Sequence, residues 1–163
     1  MIATLDRIAR ILVIVLMLGF LAGLVWLYAY LPEQLQLRIR PQESAVISLS
    51  KSAYFYGSLA LFAGLNGLLF LAYQIARTIV PGAYANPFFR TVRGKSVFLL
   101  WLSSFQLAIG AMILLSYLYF GFMNVPDHTY GPKLPALAVG PVLVLLTFGL
   151  PSMVRRFPNF FDE

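Results

Sequence analysis

The chain has no cysteine, one histidine (His128), six acidic residues and only 11% charged side chains in 163 residues. Without cysteine there is no disulfide, no thiolate metal site and no cysteine nucleophile, and the redox compartment leaves no trace. The scarcity of charge says more. A soluble domain carries about 25% charged and about 45–50% apolar residues, whereas 60% of these side chains are hydrophobic and the mean hydropathy is +0.82. Those values exclude a water-soluble enzyme, a nucleic-acid module and a disordered tail. The net charge of +6 therefore has to be judged by where the charges fall along a membrane normal, and no nucleic-acid partner is expected.

Crossing a hydrocarbon core of roughly 30 Å takes about 20 apolar helical residues at 1.5 Å each. Four uncharged runs reach that length, at residues 11–30, 52–76, 96–123 and 134–154. They predict an all-α integral membrane protein of one domain, 1–163, built as a four-transmembrane-helix bundle. The first run follows Arg7 and Arg10 as a signal peptide would. It is longer than the roughly 7–15 residues of a signal core, and Trp26-Leu27-Tyr28-Ala29-Tyr30 offers no small-x-small cleavage site, so it reads as a retained helix.

Orientation follows from the basic residues. Arg7, Arg10, Arg77, Arg90, Arg93, Lys95, Arg155 and Arg156 fall on one side, against Arg38, Arg40, Lys51 and Lys133 on the other. The expectation is a bacterial inner (plasma) membrane with both termini and the middle loop cytoplasmic. On that side Arg77, Arg90, Arg93, Lys95, Arg155 and Arg156 are candidate contacts to anionic lipid, each contributing about 1 kcal/mol near the surface. The aromatics of the middle loop, Tyr84, Phe88 and Phe89, suit the headgroup zone.

Residues 34–40 alternate polar and apolar with period two, Pro41-Gln42-Glu43-Ser44 supplies turn chemistry, and residues 45–50 read as a second strand. The prediction is a small external β-hairpin between helices 1 and 2. An isolated hairpin is barely stable in water, so it must pack on something. Arg38, Arg40 and Glu43 are its candidate partner contacts. The third loop holds a polar cluster, Asp127, His128 and Tyr130. With no second histidine or remote carboxylate beside them, no metal and no cofactor are expected.

The four runs contain no Asp, Glu, Lys, Arg or His, which argues against proton relays, haem ligation and buried general bases. No catalytic set is expected. Two neutral amides remain, Asn66 and Gln106. Each lies ten residues from the cytoplasmic end of its run, about 15 Å deep, so the two form a candidate intramembrane polar pair that bonds amide to amide or lines a polar spot. Gly19 and Gly23 make a GxxxG in the first run, and Gly57, Gly64 and Gly67 line the second; such small residues let helices approach closely. Pro141 is placed to kink the fourth run.

Leu31-Pro32-Glu33-Gln34-Leu35 after the first run, with Ser50-Lys51-Ser52 before the second, resembles the small transmembrane domain of unknown function in SdpI-type immunity and signalling proteins. That family reads Leu-Pro-x-x-Ile-Pro-x-His-Phe at this point; here Gln36, Arg38 and Ile39 replace its second Pro, its His and its Phe. Over about residues 31–70 the resemblance implies a helix–external hairpin–helix unit. Three function classes follow from the whole reading, the weakest being a membrane-embedded enzyme acting on lipid, for which the sequence offers no catalytic set. One is an interaction protein (an accessory subunit, sensor or immunity-like factor) that meets another membrane or extracytoplasmic protein through its outer loops. Another is an oligomeric transporter or channel for a neutral or lipidic molecule, lined by Asn66, Gln106, Ser103 and Ser104.

Overall fold

The computed structural model describes residues 2–37, 47–82, 87–125 and 149. Among these the elements run α1 (Ile2–Tyr30), β1 (Gln34–Leu37), β2 (Ile47–Ser50), α2 (Lys51–Thr78), α3 (Pro87–Arg90) and α4 (Val92–Phe122). Helices α1, α2 and α4 are long and apolar enough to cross a membrane. Their 29, 28 and 31 residues reach about 42–47 Å, so their ends extend past a hydrocarbon core of roughly 30 Å. The expected fourth span at 134–154, with Pro141, lies outside the described residues apart from Gly149, as do the third-loop cluster Asp127, His128 and Tyr130 and the tail residues Arg155 and Arg156.

Local chemistry sets the helix ends. Residues 2–10 contain no Gly or Pro, so α1 begins at Ile2, well before the apolar run does. It closes with Leu31 N–H donating to the Leu27 carbonyl at 3.1 Å, and Pro32 then disfavours helical backbone at Leu31. The Ser50 hydroxyl caps α2 by accepting from Ala53 N–H at 3.2 Å, and the Thr91 hydroxyl caps α4 by accepting from Gly94 N–H at 3.0 Å. That cap explains why α4 starts at Val92 rather than at Ser96. After α2, Pro81-Gly82 turns the chain with Gly82 at φ 87, a conformation that favours glycine, and Gly82 N–H donates to the Phe89 carbonyl at 2.8 Å. Lys95 Nζ donates to the carbonyls of Arg77 and Ile79 at 2.6 and 2.7 Å, which satisfies the end of α2 with a cation where the helix dipole is negative.

β1 and β2 pair antiparallel with Gln34 opposite Ser50, Leu35 opposite Leu49, Gln36 opposite Ser48 and Leu37 opposite Ile47. The expected strands at 34–40 and 45–50 are thus present in their described parts, and Arg38, Arg40 and Glu43 fall outside the described residues. Lys51 N–H donating to the Glu33 carbonyl at 2.9 Å continues the ladder into α2.

Contacts at the two ends give the helices an up-down-up course. Asp6 of α1 meets Tyr73 near the end of α2 and Ser103 near the start of α4. At the other end, Leu27, Leu31 and Leu35 pack with Tyr54 at the start of α2 and Tyr117 near the end of α4. α4 is the central helix, and α1 and α2 lean on it more than on each other. Phe20 and Phe62 stack with ring centroids 3.9 Å apart and planes within 5°. Tyr54 donates to the Tyr117 carbonyl at 2.6 Å, and Tyr117 donates to the Leu24 carbonyl at 3.2 Å, so two tyrosines bond α2 to α4 and α4 to α1. The outer faces are the apolar ones: Ile11, Ile14, Val15, Leu18 and Val25 of α1 and Leu61, Leu68, Leu71 and Ile75 of α2 are exposed. A soluble bundle has the reverse pattern.

The glycines that matter for packing are on α4. A Cβ on Gly121 would overlap Leu27, and one on Gly110 would lie 2.5 Å from Leu16. The GxxxG of α1 contributes only through Gly23, whose added Cβ would meet Leu118 at an ordinary 3.5 Å. Gly19, Gly57, Gly64 and Gly67 face open space among the described residues, so the small-residue stripe of α2 is not a helix contact there.

Candidate functional site

An ionisable group, Asp6, is buried in the bundle just before the first apolar run, whose own residues 11–30 carry no charge. Because α1 starts at Ile2, Asp6 is a helical residue, and it is 7% exposed between α2 and α4. Its Oδ2 accepts from the Tyr73 hydroxyl at 2.9 Å and its Oδ1 from the Ser103 hydroxyl at 2.8 Å. Arg10, one turn on, brings Nε to 3.2 Å from Oδ2, and its guanidinium lies over the Tyr73 ring at 5.4 Å from the centroid. One carboxylate therefore ties three helices together at their basic ends, with the charge balanced by two hydroxyl donors and a cation, as a buried carboxylate requires. Ser103 is 1% exposed, so this hydroxyl–carboxylate pair is a clamp and not a nucleophile open to substrate.

About one turn further along α4 and two along α2 lies the expected amide pair. Asn66 and Gln106 are brought together, but not amide to amide. Gln106 Nε2 donates to the backbone carbonyl of Asn66 at 3.2 Å, and Asn66 Nδ2 donates back to the Phe62 carbonyl of its own helix at 2.9 Å. Asn66 is fully buried and its Oδ1 has no hydrogen-bond partner among the described residues. Equal depth was legible in the sequence; the rotation of each helix, which decides where an amide points, was not.

At the opposite end the two-stranded sheet is stapled to the bundle. Asn124, just past α4, accepts from Gln36 N–H through Oδ1 at 2.7 Å and donates to the Gln36 carbonyl through Nδ2 at 3.1 Å. Its side-chain amide pairs with both backbone groups of Gln36 as a neighbouring strand would. Those groups therefore point away from β2, which makes Gln36–Ser48 a non-hydrogen-bonded pair and leaves Leu35–Leu49 and Leu37–Ile47 as the bonded ones. Asn124 Nδ2 also donates to the Phe120 carbonyl at 2.8 Å. Leu35, 0% exposed, pins β1 from beneath, while Gln34, Gln36, Ile47 and Ser48 remain exposed.

The basic residues divide by task. Arg77 at the end of α2 and Arg90 at the end of α3 are exposed, and Arg93 is half-buried. Lys95 is engaged with the α2 carbonyls. Of the loop aromatics, Phe89 and Phe88 meet Phe98 of α4 at 5.2 and 5.3 Å, and Tyr84 lies outside the described residues.

Asp6 and Asn124 are the anchoring residues whose partners the sequence did not disclose. Asp6 reads as one more terminal charge, although its spacing from Arg10 is a helical i,i+4 ion pair. Asn124 reads as loop chemistry, and its strand partner is 88 positions away. No protein-family model matches the chain, and neither a curated protein nor a solved structure matches it.

Proposed function

We propose that the chain is a small polytopic membrane protein that works by contact: an accessory, sensor or immunity-like protein whose outer sheet meets another membrane or extracytoplasmic protein. The observation that carries this reading is the pair of hydrogen bonds between the Asn124 side chain and the Gln36 backbone, with Leu35 buried beneath. Those contacts hold the segment as a fixed surface, whereas a mere linker between two helices needs none of them. Further support comes from the polar side chains a transport path would need. Ser103 and Asn66 are fully buried, and Ser103, Asn66 and Gln106 each make a hydrogen bond inside the bundle.

The same proposal includes the fourth span at 134–154, a bacterial inner membrane and cytoplasmic termini. The ends bearing Arg7, Arg10, Arg77, Arg90, Arg93 and Lys95 lie together, opposite the end bearing Glu33 and Lys51, which is the charge asymmetry that favours cytoplasmic placement of the basic end. The likeness to the SdpI-type domain belongs to this proposal too, because it joins the first helix to the second through an outer loop. Reversing Arg38 and Arg40 to Glu tests the reading: co-purification with the partner is lost while membrane insertion persists. Unchanged co-purification contradicts it.

A further inference from the structure

Between α1 and α2, with Gln106 of α4 at its edge, a cleft of about 420 Å³ opens, lined by Val13, Ile14, Met17 and Phe70 with Arg10, Tyr73, Gln74 and Gln106 as its polar residues. That volume lies within the roughly 300–1,000 Å³ usual for ligand sites, as does the mixture of an apolar wall and a few polar groups. From Arg10 to Met17 the wall runs about 10 Å along α1, roughly two thirds of one leaflet's hydrocarbon depth.

The polar end has the wrong charge balance to be left to itself. Arg10 faces Asp6 with Nε alone; its side chain is 43% exposed, and its two terminal nitrogens make no hydrogen bond among the described residues. Arg7 precedes it by one helical turn, and Arg77 follows Tyr73 by one turn, so both share the faces that bear the cleft mouth. Asp6, which already accepts two hydroxyl hydrogen bonds, pairs with Arg10 alone, so Arg7 and Arg77 add positive charge along these faces without a carboxylate partner among the described residues. Gln74, half-buried, has no side-chain partner among the described residues, and Gln106 has engaged only its Nε2.

We propose that this cleft is a binding site for one anionic glycerophospholipid of the leaflet that holds the N-terminus of α1. The phosphate sits on the terminal nitrogens of Arg10, where a guanidinium forms paired charge-assisted bonds. Arg7 and Arg77 supply the preference for a net negative headgroup, the Gln74 amide donates to an ester carbonyl, and one acyl chain lies along Val13, Ile14, Met17 and Phe70. The site is independent of the outer sheet, so it stands or falls apart from the contact function.

The test uses the full chain in nanodiscs of mixed phosphatidylglycerol and phosphatidylcholine, exploiting the absence of native cysteine. Native mass spectrometry after mild release retains one phosphatidylglycerol per chain in preference to phosphatidylcholine. Arg10→Gln lowers that retention about fivefold or more, the effect of roughly one basic residue at the surface. Ile14→Trp fills the apolar wall, leaves every charge in place, and also abolishes the preference while the thermal transition is unchanged. A benzophenone on Ile14→Cys crosslinks to phosphatidylglycerol. Crosslinking instead to residues 134–154 of the same chain, or to a second copy, overturns the proposal, as does equal retention of the two lipids.

Discussion

Replacing Asp6 by Asn is the most informative single change in the bundle. It preserves shape and one acceptor oxygen but removes the charge that holds Tyr73, Ser103 and Arg10. Hydrogen bonds to a charged group contribute about 1.5–3 kcal/mol each and neutral ones about 0.5–1.5. Converting the two hydroxyl bonds to neutral ones therefore costs about 2–3 kcal/mol, with one hydroxyl turning to accept from the new amide. The Arg10 pair adds at most about 1 kcal/mol because its side chain is partly exposed. The sum, about 2–4 kcal/mol, lowers Tm by about 5–15 °C for a chain of this length, read by circular dichroism in detergent. Ser103→Ala provides the check on mechanism. Because it loses the same carboxylate bond, the double variant falls short of additivity by about 0.5–3 kcal/mol. A Tm for Asp6→Asn within about 2 °C of the parent, or strict additivity with Ser103→Ala, refutes the clamp.

Three further outcomes separate the packing account from the plainer readings of the sequence. Asn66→Leu is neutral or stabilising, since it removes a buried, unpartnered Oδ1 whose burial costs about 1–3 kcal/mol. Gln106→Leu, by contrast, loses the bond to the Asn66 carbonyl and destabilises by about 1 kcal/mol, and equal effects in thermal melts contradict the assigned partners. Gly121→Ala costs about 1–3 kcal/mol by driving a methyl into Leu27, while Gly57→Ala, facing open space, is neutral or gains from helix propensity; a reversed order in the same melts contradicts the packing. For topology, Ser48→Cys is labelled by a membrane-impermeant maleimide in intact cells and Arg90→Cys only after lysis, and the opposite pattern inverts the proposed orientation.

The spans α1, α2 and α4 were legible because length and hydropathy need no knowledge of neighbours. The strands were legible because Gln34-Leu35-Gln36-Leu37 carries its own period of two, and that period places Leu35 in the core with Gln36 outside. Helix starts were less so: an apolar run marks where lipid begins, whereas α1 at Ile2 and α4 at Val92 begin where capping and the absence of breakers allow. The candidate sites were least legible. Tyr73 and Ser103 stand 67 and 97 positions from Asp6, and Asn124 finds Gln36 across a similar gap. Such partners are chosen by helix rotation and docking, which depend on all three helices at once. The close approach of α1 to α4 likewise rests on Gly110 and Gly121 rather than on the more conspicuous GxxxG.

Photo-crosslinking from position 48 in native membranes tests the contact function most directly. Ser48 is exposed on β2 opposite Gln36, so a photoreactive residue there gives a discrete adduct with one other membrane or extracytoplasmic protein. Adding Asn124→Leu, which removes both hydrogen bonds between the Asn124 side chain and the Gln36 backbone, removes the adduct while the thermal transition of the helices persists. No adduct from position 48, or the same adduct after the staple is cut, contradicts the account.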